Sequence, residues 1–207
     1  WCSDDEALQS SCRVESRAHF HATLFNVTHS GLVGDELVQA LRAAFDFDGY
    51  LSYTALNSVL MNGDAQDELY FAEVDGKYVF SAWDFDDVFM PCRTDRPLLR
   101  DALLHCAESA LDGRLRDPSV RRLFQLALER LIANGGLAGF QGAFEQTVAS
   151  ISARFERILR QRPELAVPPM LENADAMPRL AAEVIGAIRE RRATLARRLR
   201  YENDIFG

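Results

Sequence analysis

Residues 68–83, ELYFAEVDGKYVFSAW, constrain the fold more than any other stretch of this chain. Two runs rich in β-branched and aromatic residues flank Asp75-Gly76, a dipeptide that suits the left-handed backbone of a tight two-residue turn. The pattern predicts strands over ELYFAEV and KYVFSAW, paired as an antiparallel hairpin. The second strand runs directly into WDFDDVF, which sets Asp84, Asp86 and Asp87 among aromatic residues. A carboxylate buried without a partner costs several kcal/mol, so cations or strong donors are expected there. A metal–phosphate site would supply them, and so would an ordinary salt-bridged turn.

Around the hairpin the periodicity is mostly helical. AHFHATLFNV, residues 18–27, alternates weakly and reads as a strand. GDELVQALRAAF has helical apolar spacing, and DGYLSYTALNSVLM follows as a second helix with Asp48 placed to cap it. After Pro91 amphipathic spacing predicts helices near 97–112, 118–133, 138–161 and 177–201. Their ends are marked by Asp117-Pro118, Asn134-Gly135-Gly136, the stretch from Pro163 to Pro169, and Met177-Pro178. The fold class is α+β, mainly helical, with one hairpin. The chain divides by this reading into an N-terminal segment with a strand (1–29), a main region (30–201) and a tail (202–207).

Composition narrows the partners. The formal charge of -8 excludes duplex nucleic acid as a general partner. No apolar run approaches the length of a membrane span. Residues 35–95 hold much of the acid and the last third is rich in Arg, so an acidic phosphate site would need divalent cations. Trp1 stands where an initiator Met would be expected, which suggests a chain cut from a longer one. Cys2, Cys12, Cys92 and Cys106 show no CxxC spacing, which argues against a zinc site. Cys2 and Cys12 flank a short polar loop that a disulfide would close, and Cys92 and Cys106 form a second possible pair. The polar setting of the first pair points to an extracellular or cell-surface protein, with the cytoplasm as the alternative.

Several motifs carry less than they first suggest. FDFDGYLSYTAL resembles a calcium loop through Asp46, Asp48 and Gly49, but Ala44 and Ala55 occupy positions one and twelve, where oxygen ligands are needed. His19 and His21 share one face of the expected strand yet have no third ligand at a suitable spacing. Asn26-Val27-Thr28 is a formal glycosylation acceptor. The Arg residues from 179 to 200 read as a solvated helix face.

The remaining constellation is Asn62-Gly63-Asp64, then Asp67-Glu68, the hairpin, and Trp83-Asp84-Phe85-Asp86. A hairpin that folds back on itself would return Asp64 and Asp84 to one edge. Phosphoryl transfer uses one carboxylate to orient the attacking hydroxyl and another to hold magnesium on the phosphates. The run YLSYTALNSVLMNGD…ELYFAEVDGKYVFSAWDFDDVF resembles the spore-coat protein H (CotH) kinase family over about residues 30–200, most specifically in 50–89. The resemblance implies an atypical protein-kinase-like C-terminal lobe that uses ATP with magnesium to phosphorylate Ser residues of proteins. It implies Asp64 as the catalytic Asp and Asp84 as the metal ligand, assisted by Asp67. Asn62, Trp83 and Asp86 would support them. Asp67 or Glu68 stands where members carry Asn.

The resemblance also implies a partner, the N-terminal half of the kinase domain or another chain that supplies basic nucleotide contacts. The competing expectation is a non-catalytic, CotH-like surface or assembly protein that kept the fold and lost the chemistry.

Overall fold

The computed structural model describes residues 6–63, 69–82, 87–90, 103–106, 109–133, 136–162 and 176–201. Among them are helices α1 (Glu6–Thr28), α2 (Gly34–Ala44), α3 (Phe47–Leu60), α4 (Ala110–Gly113), α5 (Pro118–Ala133), α6 (Gly136–Gln161) and α7 (Ala176–Tyr201). Strands β1 (Leu69–Val74) and β2 (Lys77–Ala82) form one antiparallel two-stranded sheet. The chain divides into two compact units, the first running to Leu128 and the second from Glu129 to Asn203.

The hairpin forms where the turn chemistry puts it. Its register runs from Leu69 opposite Ala82 to Val74 opposite Lys77, and both turn residues, Asp75 and Gly76, have positive φ. The strand expected over 18–27 is instead the end of α1. Phe20 and Thr28 are buried while Leu24 is partly so, and that spacing of four belongs to a helix. Phe20 stacks on Phe71 at 3.6 Å between ring centroids and meets Tyr78 edge-on. That contact lies about fifty residues away in sequence, so no local pattern announced it.

One turn later the capping assignment also moves. Asp46 is the N-cap of α3 and accepts from Gly49 N–H at 3.2 Å, whereas Asp48 pairs with Arg42 at 2.7 and 3.0 Å. A Cβ on residue 49 would stand 2.2 Å from the Asp46 carboxylate, so Gly49 is the residue that lets this cap close. No calcium loop forms here, because Asp46 and Asp48 are engaged with the backbone and with Arg42. α3 is apolar on nearly every side, with Phe47, Tyr50, Leu51, Ala55, Val59 and Leu60 buried, and serves as the central helix of the first unit.

The single helix expected over 97–112 is not formed at residues 103–106. Residues 103–106 form bends, with Leu103, Leu104 and His105 buried, and Cys106 has a positive φ. α4 begins only at Ala110, where Ser109 and Asp112 make a reciprocal capping box. Residues 97–102 lie outside the described ones. α5, α6 and α7 follow the expected boundaries closely. In the second unit α6 packs on α7, whose Ala181, Ile185, Ile188 and Leu195 are buried at helical spacing. Arg189, Arg197 and Arg200 are exposed as expected, but Arg191 is buried.

Asp117 ties two helices of the first unit together. It accepts from Ser119 and Val120 N–H at the start of α5, and from Gly34 N–H at the start of α2. Burial pushes its carboxyl up, but the N–H groups of Gly34, Val120 and Ser119, aided by Arg114, outweigh this and hold it below its ordinary value. A folded-state value below the unfolded one adds stability that is present above about pH 4 and is lost as pH falls through the depressed value. Asp117→Ala should therefore lose about 1–2 kcal/mol at neutral pH. The difference from wild type should shrink in acid-unfolding curves; a gap that stays constant into strong acid would contradict this account.

Candidate functional site

The site is framed by backbone hydrogen bonds that join distant parts of the chain. α3 ends at Met61, whose left-handed backbone (φ 51°) turns the chain out of the helix. Asn62 follows, fully buried, its N–H donating to the Asn57 carbonyl at 3.3 Å. Gly63 N–H then donates to the Asp87 carbonyl at 2.9 Å, and Phe89 N–H donates to the Leu60 carbonyl at 2.9 Å. On the far side, Leu69 opposite Ala82 is the first rung of the hairpin. The chain is therefore bridged at 63–87 and again at 69–82. Residues 64–68 and 83–86 run between these two bridges. Asp64, Asp67, Trp83, Asp84 and Asp86 belong to those segments and lie outside the described residues. Of the predicted catalytic, metal-binding and supporting residues, Asn62 alone is described.

The hairpin is anchored from below by aromatic packing. Phe45, Phe20, Phe71, Tyr78 and Phe80 form one cluster, and Asp46 N–H donates to the Tyr78 carbonyl at 2.8 Å. Burial, with the nearby charge of Glu73, raises the Tyr78 hydroxyl above its ordinary value. His19 bonds to that hydroxyl through Nδ1 and lies 3.7 Å from the Glu73 carboxylate. His21 instead lines a pocket on the other side of the helix. The paired-histidine metal site is thus dissolved by the helix, in which residues two apart do not share a face. Among the described residues no cluster of three or more His, Cys, Asp or Glu could hold a metal.

That pocket, of about 490 Å³, lies between α1, α3, the hairpin and residues 105–106 and 109–112. Tyr50 and Asn57 of α3, Leu69, Phe71 and Phe80 of the hairpin, and Arg17 of α1 are among its lining residues. The Tyr50 hydroxyl donates to Asp112 Oδ1 at 2.7 Å and lies 2.6 Å from Ser109 Oγ, while Ser109 N–H donates to Asp112 Oδ2 at 3.0 Å. Full burial, reinforced by Asp112, pushes the Tyr50 phenol well above its ordinary value, so it remains a donor. Sequence reasoning missed this network and the pocket. The available signal was polar Tyr50, Thr54, Asn57 and Ser58 inside an otherwise apolar helix, each of which needs a partner once buried.

The family model described as CotH kinase protein matches residues 12–164. This chain belongs to the CotH kinase family. The match begins within α1, ahead of residue 30, and stops before α7. It covers both bridged segments that carry the acids. Membership in the CotH kinase family implies use of ATP and suggests a protein substrate. No curated protein and no solved structure matches this chain. No described helix is long and apolar enough to cross a membrane.

Proposed function

We propose that this CotH family member is the catalytic and metal-binding portion of an ATP- and magnesium-dependent protein Ser kinase. The pair of backbone bridges at 63–87 and 69–82 is the observation that carries this reading. Asp64 follows Gly63 directly, and Asp84 is three residues from Asp87, a reach of at most about 11 Å of backbone. In sequence, both acids thus stand within three residues of a bridged position.

Asp64 orients the acceptor hydroxyl and takes its proton as the oxygen attacks the γ-phosphorus, whose bond to the β,γ-bridging oxygen breaks to release ADP. Asp84 and Asp67 are the hard oxygen ligands that suit magnesium, which when bound offsets phosphate charge. Asn62 backs the turn from its buried position, and Asp86 and Trp83 support the ligands. Lys77 is the only Lys or Arg between Arg42 and Arg93, so the triphosphate needs cations from elsewhere. α1 brings Arg17 to the neighbouring pocket, and a partner, either the N-terminal half of the kinase domain or another chain, supplies the rest.

The test is transfer of labelled γ-phosphate to a Ser-containing protein, with magnesium and with a chelator, by this chain alone and within a longer chain. Magnesium-dependent phosphoserine is the expected product. Failure of both to bind magnesium-ATP in calorimetry would leave the non-catalytic surface or assembly protein as the better reading.

Export is part of the same proposal, through a Cys2–Cys12 disulfide, although residues 6–12 are helical and not the polar loop expected between these cysteines. No described cysteine is free, and the pairings Cys2–Cys12 and Cys92–Cys106 each involve side chains outside the described ones. Protein purified without reductant should gain two hydrogens in intact mass for each bridge on reduction. An unchanged mass would remove the argument for an extracellular or cell-surface location.

A further inference from the structure

We propose that the disulfide at Cys106 is a redox-sensitive clasp on the turn leading out of α3, and that Cys92 is its other half. Cys106 is disulfide-bonded. Its Sγ lies 3.9 Å from the Gly63 carbonyl oxygen, and its backbone is left-handed, with φ 54°. Gly63 is the residue whose N–H donates to the Asp87 carbonyl, and Asp64 follows it in sequence. The proposal rests on the kinase reading for its effect on catalysis, but the hold on Gly63 is independent of that reading.

Neighbouring contacts choose the partner. His105 N–H donates to Ser58 Oγ at 3.3 Å, and His105 Nε2 lies 3.3 Å from the Met90 carbonyl. Residues 90 and 105 therefore meet beside the last turns of α3, and Cys92 and Cys106 follow them closely in sequence. Two residues of chain span at most about 7 Å, and bridged cysteines keep their Cα atoms roughly 4.4–6.8 Å apart. That reach suits a Cys92–Cys106 bridge and leaves Cys2 and Cys12 for each other.

Two features make this bridge a switch as well as a staple. Cys106 is half-buried and lines the pocket of about 490 Å³, so a small thiol can reach its sulfur. Arg17 lines the same pocket, and its positive charge favours the thiolate, the species that attacks a disulfide. That thiolate bonds to Cys106 Sγ as the S–S bond breaks, and Cys92 leaves as a thiolate that takes up a proton. A second thiol, losing its proton, then attacks the sulfur of the bound reductant, and Cys106 leaves and is protonated. The products are two cysteine thiols and the reductant's disulfide. Once the bridge is open, the turn is tied to residues 87–89 only by the single bonds from Gly63 to Asp87 and from Phe89 to Leu60.

Peptide maps of the intact chain, made without reductant, should show Cys92 joined to Cys106. Dithiothreitol should then speed exchange of the Gly63 and Phe89 amide hydrogens by about 10-fold or more, while amides within α7 keep their rates. Reoxidation should restore the protection, and phosphoryl transfer should fall and recover with it. Cys106→Ser and Cys92→Ser should each behave like the reduced protein with no reductant present. A chain carrying both Cys2→Ser and Cys12→Ser should respond as wild type does. If the Cys106 and Cys92 variants fail to fold, reduction and reoxidation of wild type still decide the matter. Cys106 joined to Cys2 or Cys12 overturns the proposal, as does Gly63 exchange that ignores the reductant. Transfer that stays constant while Gly63 exchange rises also overturns it, because the bridge is then a staple and no switch. Transfer absent in both redox states, with exchange still responding, sinks the kinase reading alone.

Discussion

Replacing Asp84 with Ala is expected to reduce magnesium-dependent phosphoryl transfer by roughly 1,000-fold, as loss of a main electrostatic partner of the transition state does elsewhere. If Asp84 is the metal ligand, as proposed, the same change should also weaken binding of magnesium-ATP. Asp64→Asn should act differently. Its loss removes the acceptor for the hydroxyl proton and should lower kcat by roughly 100-fold or more while leaving nucleotide affinity nearly intact. The two variants thus separate metal binding from hydroxyl activation. Unfolding of the nucleotide-free protein is the control for folding. Retained transfer in Asp84→Ala, with label still in phosphoserine, would move the metal site elsewhere.

Phe45→Ala is expected to have the largest effect on stability. Phe45 is 1% exposed and its ring meets those of Phe20, Tyr78 and Phe80 at centroid distances of 6.0–6.2 Å. Truncation of a buried Phe costs about 3–5 kcal/mol, a large share of the roughly 5–15 kcal/mol that holds a typical domain folded. Phe45 also bridges to Tyr78 through the backbone, so the cavity would open directly beneath β2. Val79, on the outer face of the same strand, is 36% exposed, and Val79→Ala should cost less than about 1 kcal/mol. Urea unfolding of both variants checks the contrast. The loosened hairpin should also depress phosphoryl transfer at temperatures where Phe45→Ala remains folded. Similar costs at the two positions would mean that the aromatic cluster is not what anchors the hairpin.

What the sequence by itself determined is the structure whose cause lies within a few residues. Asp75-Gly76 specifies the turn, and the alternating apolar residues on either side specify the strands that meet there. Asp117-Pro118 starts α5, and the periodicity of 118–133 carries it to its end. The motif residues around the hairpin were enough to point to the CotH kinase family, which the match over residues 12–164 shows.

Only the tertiary structure decided the rest. Residues 18–27 alternate weakly enough to suit a strand, and α1 forms because Phe20 finds Phe71 and Tyr78 across the fold. Cap choice between Asp46 and Asp48 turns on Arg42, which draws Asp48 aside. Leu103 to Cys106 form bends in place of the expected helix, with Leu103, Leu104 and His105 all buried. Asn57 is an ordinary polar residue in the sequence, and its burial is decided only by the packing of α3 within the first unit. Turns and caps are set by backbone chemistry over about four residues. Burial, and with it the need of a polar atom for a partner, depends on residues that are distant in the chain.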